Sequence, residues 1–299
     1  NGAGLLTNNT QLAVGVYNMK VTATDNNNNQ QTSVGVITVS DTTLPVFTTG
    51  VTTQTKEFAA QGVSQTIVAT DAASITYSVN DTTNFQINSG TGALTNKTQL
   101  AVGVYNVQVT ATDGHGVQAN SIGVITVQDN TPPVFTTGVT NETKEFALQN
   151  VAQTIVATDA AGVTYSVNDT ANFVINSVTG ALTNETQLAV GTYNVKVTAT
   201  DGHELTNTST GVITVSDNTA PSVTNSVIAD SIIYENNVIL SVDASDQSSV
   251  NKVIANVSGT LTPMTLSSGN TYTATLTQPV VGTYNVQYLV NDTYNNVNS

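Results

Sequence analysis

The chain of 299 residues contains no cysteine and no tryptophan, and its six basic residues are all lysine, so it has no arginine. It has two histidines and six prolines, and 9% of its residues are charged, against about 25% in an ordinary soluble domain. Each absence closes a class of function. Without Cys there is no disulfide framework, thiolate zinc site, iron–sulfur cluster or cysteine nucleophile. With few Lys, no Arg and a formal net charge of −14, the surface repels nucleic acid instead of gripping its phosphates. No apolar run approaches the ~18 residues that cross a bilayer, so no membrane span is expected in this segment. No leader with a basic start and apolar core is visible at Asn1-Gly2-Ala3. Gly-x-Ser-x-Gly, His-Glu-x-x-His and P-loop patterns are absent too. Catalysis usually leans on His, Arg or Cys, and no enzyme activity is expected. Paired carboxylates for glycoside hydrolysis would have to recur in every copy of the repeat described next.

What the chain does have is repetition. Leu12-Ala13-Val14-Gly15 recurs as Leu100-Ala101-Val102-Gly103 and Leu188-Ala189-Val190-Gly191, a spacing of 88 residues each time. The same offset links Tyr17, Tyr105 and Tyr193, and Asp25, Asp113 and Asp201. Roughly three-quarters of positions agree between 45–131 and 133–219. A period this long is a small domain and not a solenoid turn. Each unit closes on Val-Ile-Thr-Val, an Asp-containing turn and a proline: Asp41 to Pro45, Asp129 to Pro133, Asp217 to Pro221. Proline fixes φ and removes a donor, which ends one strand pattern before the next domain. The expected organisation is therefore half a domain at 1–43, full domains at 44–131 and 132–219, and a divergent domain at 220–299. The first holds only the later half of a unit, and the last stops before a closing strand, so a window cut from a longer chain is expected. The runner-up is strand donation by a neighbouring subunit.

The pattern inside each unit is β. Tyr193, Val195, Val197 and Ala199 alternate with Asn194, Lys196, Thr198 and Thr200, the period-2 signature of a strand with one buried face. Val- and Thr-rich runs suit pleated strands and suit helices poorly. Gly-Ala-Leu at 92–94 and 180–182 and Asp-Gly at 113–114 and 201–202 supply turns. About seven short strands in under 90 residues is the size of a β-sandwich.

Val163-Thr164-Tyr165-Ser166-Val167, Asn172-Phe173-Val174-Ile175-Asn176, Thr179-Gly180-Ala181-Leu182-Thr183, Ala199-Thr200-Asp201-Gly202 and the closing Val215-Ser216-Asp217-Asn218 together resemble cadherin-type repeats. The resemblance is closest to the dystroglycan-type cadherin-like domains of prokaryotic and archaeal surface proteins, and it covers roughly 1–219. Residues 220–299 resemble a bacterial or archaeal Ig-like domain, through Ile239 to Asp246 and Val281-Gly282-Thr283-Tyr284-Asn285-Val286. The resemblance implies an all-β fold of tandem seven-stranded Greek-key β-sandwiches, cadherin-like and Ig-like, arranged end to end. It also implies calcium at the domain junctions. The ligand set is thinned here. The linker acids are Asp41, Asp129 and Asp217, and Asp71 and Asp159 match the mid-domain motif. That motif's second acid is replaced by Ala73 and Ala161, and the family's Leu-Asp-Arg-Glu segment by Leu-Ala-Val-Gly. Glu57 and Glu145 stand for its early-strand Glu. The competing reading of these Asp residues is that they bond their own backbone in turns. Calcium is the only cofactor the resemblance suggests.

His115 and His203 occupy equivalent positions, and the first unit has Asn27 there, so they read as turn tips and not as metal ligands. Lys56-Glu57 and Lys144-Glu145 read as charged edge strands that discourage sheet pairing, with a Lys–Asn isopeptide crosslink as the alternative. Nine Asn-x-Ser/Thr sequons begin at Asn8, Asn80, Asn96, Asn141, Asn168, Asn184, Asn207, Asn256 and Asn291. A chain with 35 Asn and abundant Ser and Thr produces about this many by chance. N-linked glycans are expected on them if the protein is exported. The function expected is that of an extracellular, cell-surface structural segment of a surface layer, sheath or filament, with copies of itself as partner through lateral or head-to-tail contacts. The alternative is the stalk of an adhesin that binds glycans or other cell-surface proteins.

Overall fold

The structure, a computed structural model, describes residues 4–227 and 236–298. Residues 1–3, 228–235 and 299, which the expected first and last domains include, lie outside the described residues. Among the described residues there are β-strands, turns and two single-turn 3₁₀ helices at Phe58–Ala60 and Phe146–Leu148, with no α-helix. The chain divides into two compact units, 1–130 and 131–299.

The first unit opens with a hairpin of β1 (Gly15–Thr24) and β2 (Gln30–Val39), which form a two-stranded sheet. A sandwich follows. Its strands are β3 (Val46–Thr49), β4 (Gln54–Glu57), β5 (Ser64–Thr66), β6 (Val68–Thr70), β7 (Ile75–Val79), β8 (Phe85–Ile87), β9 (Ala93–Asn96), β10 (Gly103–Asp113) and β11 (Gln118–Gln128). One layer is ordered β4-β11-β10-β7; the other holds β3-β6 and β5-β9-β8. The seven expected strands are all there, the first two each in two pieces. β3 pairs antiparallel with β6, and the chain then crosses to the other layer, where β4 runs parallel to β11. The second strand breaks at Ile67, whose N–H donates to Gly92 O at 2.9 Å, outside the ladder. Gly92 sits at φ +68, and a Cβ there would lie 2.0 Å from Ile67 O. Only glycine fits both the left-handed backbone and the close approach.

The alternation of β10 and β11 decides the packing. Val107, Val109, Ala111, Ile125 and Val127 point inward and meet Ile67, Phe85, Leu94 and Leu100 in one core. Phe85 is fully enclosed and meets Tyr105 edge to face, with centroids 5.9 Å apart. Tyr105 Oη donates to Ala101 O at 2.9 Å. This tyrosine corner explains the spacing of the recurrent Leu-Ala-Val-Gly-x-Tyr segment, and it recurs at Tyr17, Tyr193 and Tyr284. Gln61 is buried and brackets the backbone of Leu100, donating to its carbonyl and accepting from its N–H.

The second unit begins with the same sandwich. Its strands are β12 (Val134–Thr137), β13 (Glu142–Glu145), β14 (Ala152–Thr154), β15 (Val156–Thr158), β16 (Val163–Val167), β17 (Phe173–Ile175), β18 (Ala181–Asn184), β19 (Gly191–Asp201) and β20 (Thr206–Ser216). Its core centres on Ile155, Phe173, Leu182, Val197 and Ile213. Two antiparallel sheets follow. β21 (Ser222–Val227), β22 (Val238–Ser245), β23 (Val250–Val257) and β24 (Thr260–Pro263) are joined by β25 (Thr265–Ser268), β26 (Thr271–Leu276), β27 (Val286–Asp292) and β28 (Val297–Asn298). The orders are β21-β22-β26-β25 and β24-β23-β27-β28. A third core, with Leu240, Val242, Val253, Ala255 and Val290, fills the space between them. The chain is thus an all-β run of sandwiches, as the period-2 pattern predicts.

Candidate cation sites

The residues with chemistry to offer lie at strand ends, because the inward faces are filled by apolar side chains. Asp25 directly follows β1, Asp113, Asp201 and Asp292 end β10, β19 and β27, and all four fold the next turn in the same way. One carboxylate oxygen, Oδ1, accepts the N–H groups two and four residues on, at 2.8–3.0 Å in all four turns. The turn therefore needs a short acidic side chain at that point and leaves the second oxygen, Oδ2, for other work.

That second oxygen has two different fates. At Asp25 it accepts from Asn29 Nδ2 at 2.9 Å, and at Asp292 from Asn296 Nδ2 at 2.7 Å. At Asp113 and Asp201 the residue four on is Val117 or Leu205. There Oδ2 is enclosed with no hydrogen-bond partner, in residues only 5% and 6% exposed. An enclosed carboxylate oxygen without a donor is costly.

In the first unit, one ligand atom each of Asp41, Asp113 and His115 lie within 4.8 Å of one another. His115 Nδ1 is 3.0 Å from Asp41 Oδ2, with side-chain exposures of 38% and 13%. Asp41 Oδ1 accepts the N–H of Thr43 at 2.9 Å. That bond is the main reason the Asp41 carboxyl titrates below its ordinary value, with His115 contributing further. In the second unit, Asp217, Asp246 and Asp292 form a cluster of the same reach. Asp217 is buried, its Oδ1 accepts from Thr219 N–H at 3.2 Å, and its Oδ2 is enclosed without a partner. Asp246 Oδ1 accepts from the N–H and hydroxyl of Ser248, both at 2.7 Å. Glu145, at the end of β13, holds the residues after Asp217 through Asn218 and Thr219. The Asn218 N–H is the first cause of its lowered pKa.

The sequence candidates thus separate. Asp41 and Asp217 belong to clusters. Asp71 and Asp159 cap turns, accepting from the N–H groups of Ala73 and Ala161, and join no cluster among the described residues. Asp129 follows β11 and is, by the 88-residue offset, the counterpart of Asp41. Reading the sequence by family motif missed Asp113, Asp246 and Asp292 as cluster members, and it set His115 aside as a turn tip. The signal for Asp113 was in the sequence: Asn29 of the first repeat becomes Val117 in the second, so the carboxylate loses its side-chain donor.

The Asp217 cluster fits calcium, a hard cation that takes six to eight oxygen ligands, because all its donors are carboxylates and one enclosed oxygen has no partner. The Asp41 cluster departs from that set through its imidazole.

Among the sequons, Asn8, Asn80, Asn141, Asn168 and Asn207 are exposed, while Asn96, Asn184, Asn256 and Asn291 are half-buried. The Asn80 and Asn168 amides bridge to the backbone of the neighbouring strand, donating to Asn106 O and Asn194 O and accepting from Gln108 and Lys196 N–H. Asn96 and Asn184 accept from Val63 and Val151 N–H. β4 and β13 are edge strands, and Lys144 pairs with Glu142 at 2.6 Å.

No protein family's sequence profile matches the chain, and neither does any curated protein sequence. Among solved structures, it is similar to mouse cadherin-23 EC22-24 at 24% identity, over 67% of this chain and 74% of that one, with a TM-score of 0.30. Extracellular cadherin domains 1-5 of protocadherin gamma B2 align at 17% identity over 93% and 62%, with a TM-score of 0.38. The human desmocollin-1 ectodomain aligns at 18% over 95% and 63%, with a TM-score of 0.29.

Proposed function

We propose that this chain is a structural segment of a long extracellular cell-surface protein of prokaryotic, archaeal type, built into a surface layer, sheath or filament. In this reading the domains run 1–43, 44–131, 132–219 and 220–299. Each serves as a folded spacer that carries tension through its strand ladders. The carrying observation is the joint at Asp217. Asn296 Nδ2, beyond β27, donates to Asp217 O at 3.1 Å, and Asn298 Nδ2 to Pro221 O at 2.6 Å. The linker is thereby bonded to the end of the following sheets, and the carboxylates of Asp217, Asp246 and Asp292 meet there. Calcium bound to them stiffens that joint. The exposed sequon Asn8 and Asn141 side chains suit N-linked glycans, which would add solubility to a surface poor in charge, whereas Asn207 Nδ2 donates to Pro133 O at 2.9 Å. The partner is a second copy, held laterally or head to tail.

The decisive experiment is imaging of the purified full chain by negative-stain electron microscopy, with and without millimolar calcium. Periodic filaments or sheets are the expected result. Discrete monomers under both conditions overturn the assembly reading and leave the adhesin stalk in its place. Melting with and without chelator tests the calcium joint separately: an unchanged Tm removes it.

A further inference from the structure

We propose that Asp41, Asp113 and His115 form a binding site for a divalent ion of the zinc or nickel class, and that this site discriminates against calcium. The inference is independent of the calcium reading of the Asp217 cluster, and either can fail alone.

Three observations carry it. The ligand atoms of the three residues already lie within 4.8 Å of one another, with the imidazole Nδ1 and one carboxylate oxygen 3.0 Å apart. That is close to the separation of neighbouring donors around an ion with bonds of about 2.0–2.2 Å. Next, Asp113 is 5% exposed and its Oδ2 is enclosed with no hydrogen-bond partner. Its other oxygen is fully committed to the turn, on the N–H groups of His115 and Val117. The orphaned oxygen is what a cation would satisfy.

The third observation is internal to the chain. Four turns share one construction. The two with His at the second position after Asp have no Asn at the fourth, and the two with Asn at the fourth have Asn27 or Tyr294 at the second. Where Asn29 and Asn296 cap Oδ2, that oxygen already has a donor from within the turn. Where histidine is present, the cap is missing and the oxygen is open. Imidazole and open oxygen occur together.

The donor set then selects the ion. Two carboxylates and a neutral imidazole supply charge −2 and one nitrogen. Calcium wants oxygen ligands in large number. Imidazole suits zinc, nickel and copper, and three protein ligands leave a position for water, as an open zinc site does.

The test uses the full chain carrying His203→Asn, which leaves His115 as its only histidine. After chelator treatment, zinc binding is measured by equilibrium dialysis in 1 mM calcium, and the His115 ring is followed by NMR. The expected result is one zinc equivalent per chain that survives the calcium, with the His115 ring signals shifted. His115→Asn copies the residue that the first repeat carries at Asn27, so the fold is kept, and it should weaken zinc at least about tenfold. Val117→Asn should do the same while keeping every ligand, because it installs the cap that closes Asp113 Oδ2. Failure to bind zinc, displacement of zinc by calcium, or binding unchanged in both variants overturns the proposal. The His115–Asp41 contact would then be an ion pair alone.

Discussion

The β1–β2 hairpin and the β10–β11 hairpin are the same element in two settings. Their registers coincide under the 88-residue offset, Tyr17↔Ile37 in one and Tyr105↔Ile125 in the other. Both carry the tyrosine corner, at 2.8 and 2.9 Å. Their burial is opposite. Val21 and Ile37 are 51% and 37% exposed, while Val109 and Ile125 are at 0%. The ladder and its turn are therefore written within some 30 residues, the same in both settings. What differs is the second layer: Ile67, Phe85 and Leu94 close over β10 and β11, and no described strand does this for β1 and β2. Period-2 apolar residues specify a face, and a second sheet turns that face into stability.

The largest test of this contrast uses one substitution at two equivalent sites. Ile125→Ala empties part of a closed core and should cost about 2–5 kcal/mol in urea unfolding of the sandwich. Ile37→Ala removes a side chain that faces water and should stay within about 0.5 kcal/mol. Equal losses at the two positions would mean that the hairpin's apolar face is covered in solution, which would break the comparison.

A second test is smaller and should give the same answer in both settings. Tyr105→Phe and Tyr17→Phe each delete a hydroxyl that donates to a carbonyl four residues earlier. A bond of this kind contributes about 0.5–1.5 kcal/mol. The expected signature is faster amide exchange in the strand that follows, to the same degree in both hairpins. A much larger effect at Tyr105 would show that its edge-to-face contact with Phe85 depends on the hydroxyl.

How much of this was legible in the sequence follows from the same division. Alternation along residues 191–216 and the recurrent Gly-Ala-Leu and Asp-Gly turns specify strands, register and the 88-residue unit, because those signals are local. The split of the first two strands was not legible. It depends on Ile67 bonding Gly92 O and on the chain crossing between layers before Gln54, both long-range events. Of the candidate metal residues, Asp41 and Asp217 were found from linker motifs. Asp246 and Asp292 were not, since strands far apart in sequence bring them together. Asp71 and Asp159 carry the motif's acid without its partner, and they fold into turns instead. His115 was set aside because Asn27 stands in its place in the first repeat; the change that matters is two residues further on, where Asn29 becomes Val117.

The smallest effect concerns the one contact of the turn that the hairpin does not share with its counterpart, the Asn29 cap on Asp25. The Asp25 carboxyl is held below its ordinary 3.8, first by the Asn29 side chain and then by the N–H groups of Asn29 and Asn27. A carboxyl whose folded-state pKa is lowered favours the folded turn at pH values above its unfolded value. That contribution is present above about pH 4 and disappears as the pH falls through the lower folded value. Asp25 is exposed, so the effect is confined to the hairpin: the amide protons of Asn27 and Asn29 should lose protection below pH 4 while those of β10 and β11 keep theirs. Asn29→Val copies the Val117 arrangement and removes the first of these bonds, so the Asp25 titration midpoint, read from its carboxyl NMR shift, should rise toward 3.8. A midpoint that does not move would show that the backbone donors alone set it. The Asn cap would then contribute nothing that distinguishes this turn from the one at Asp113.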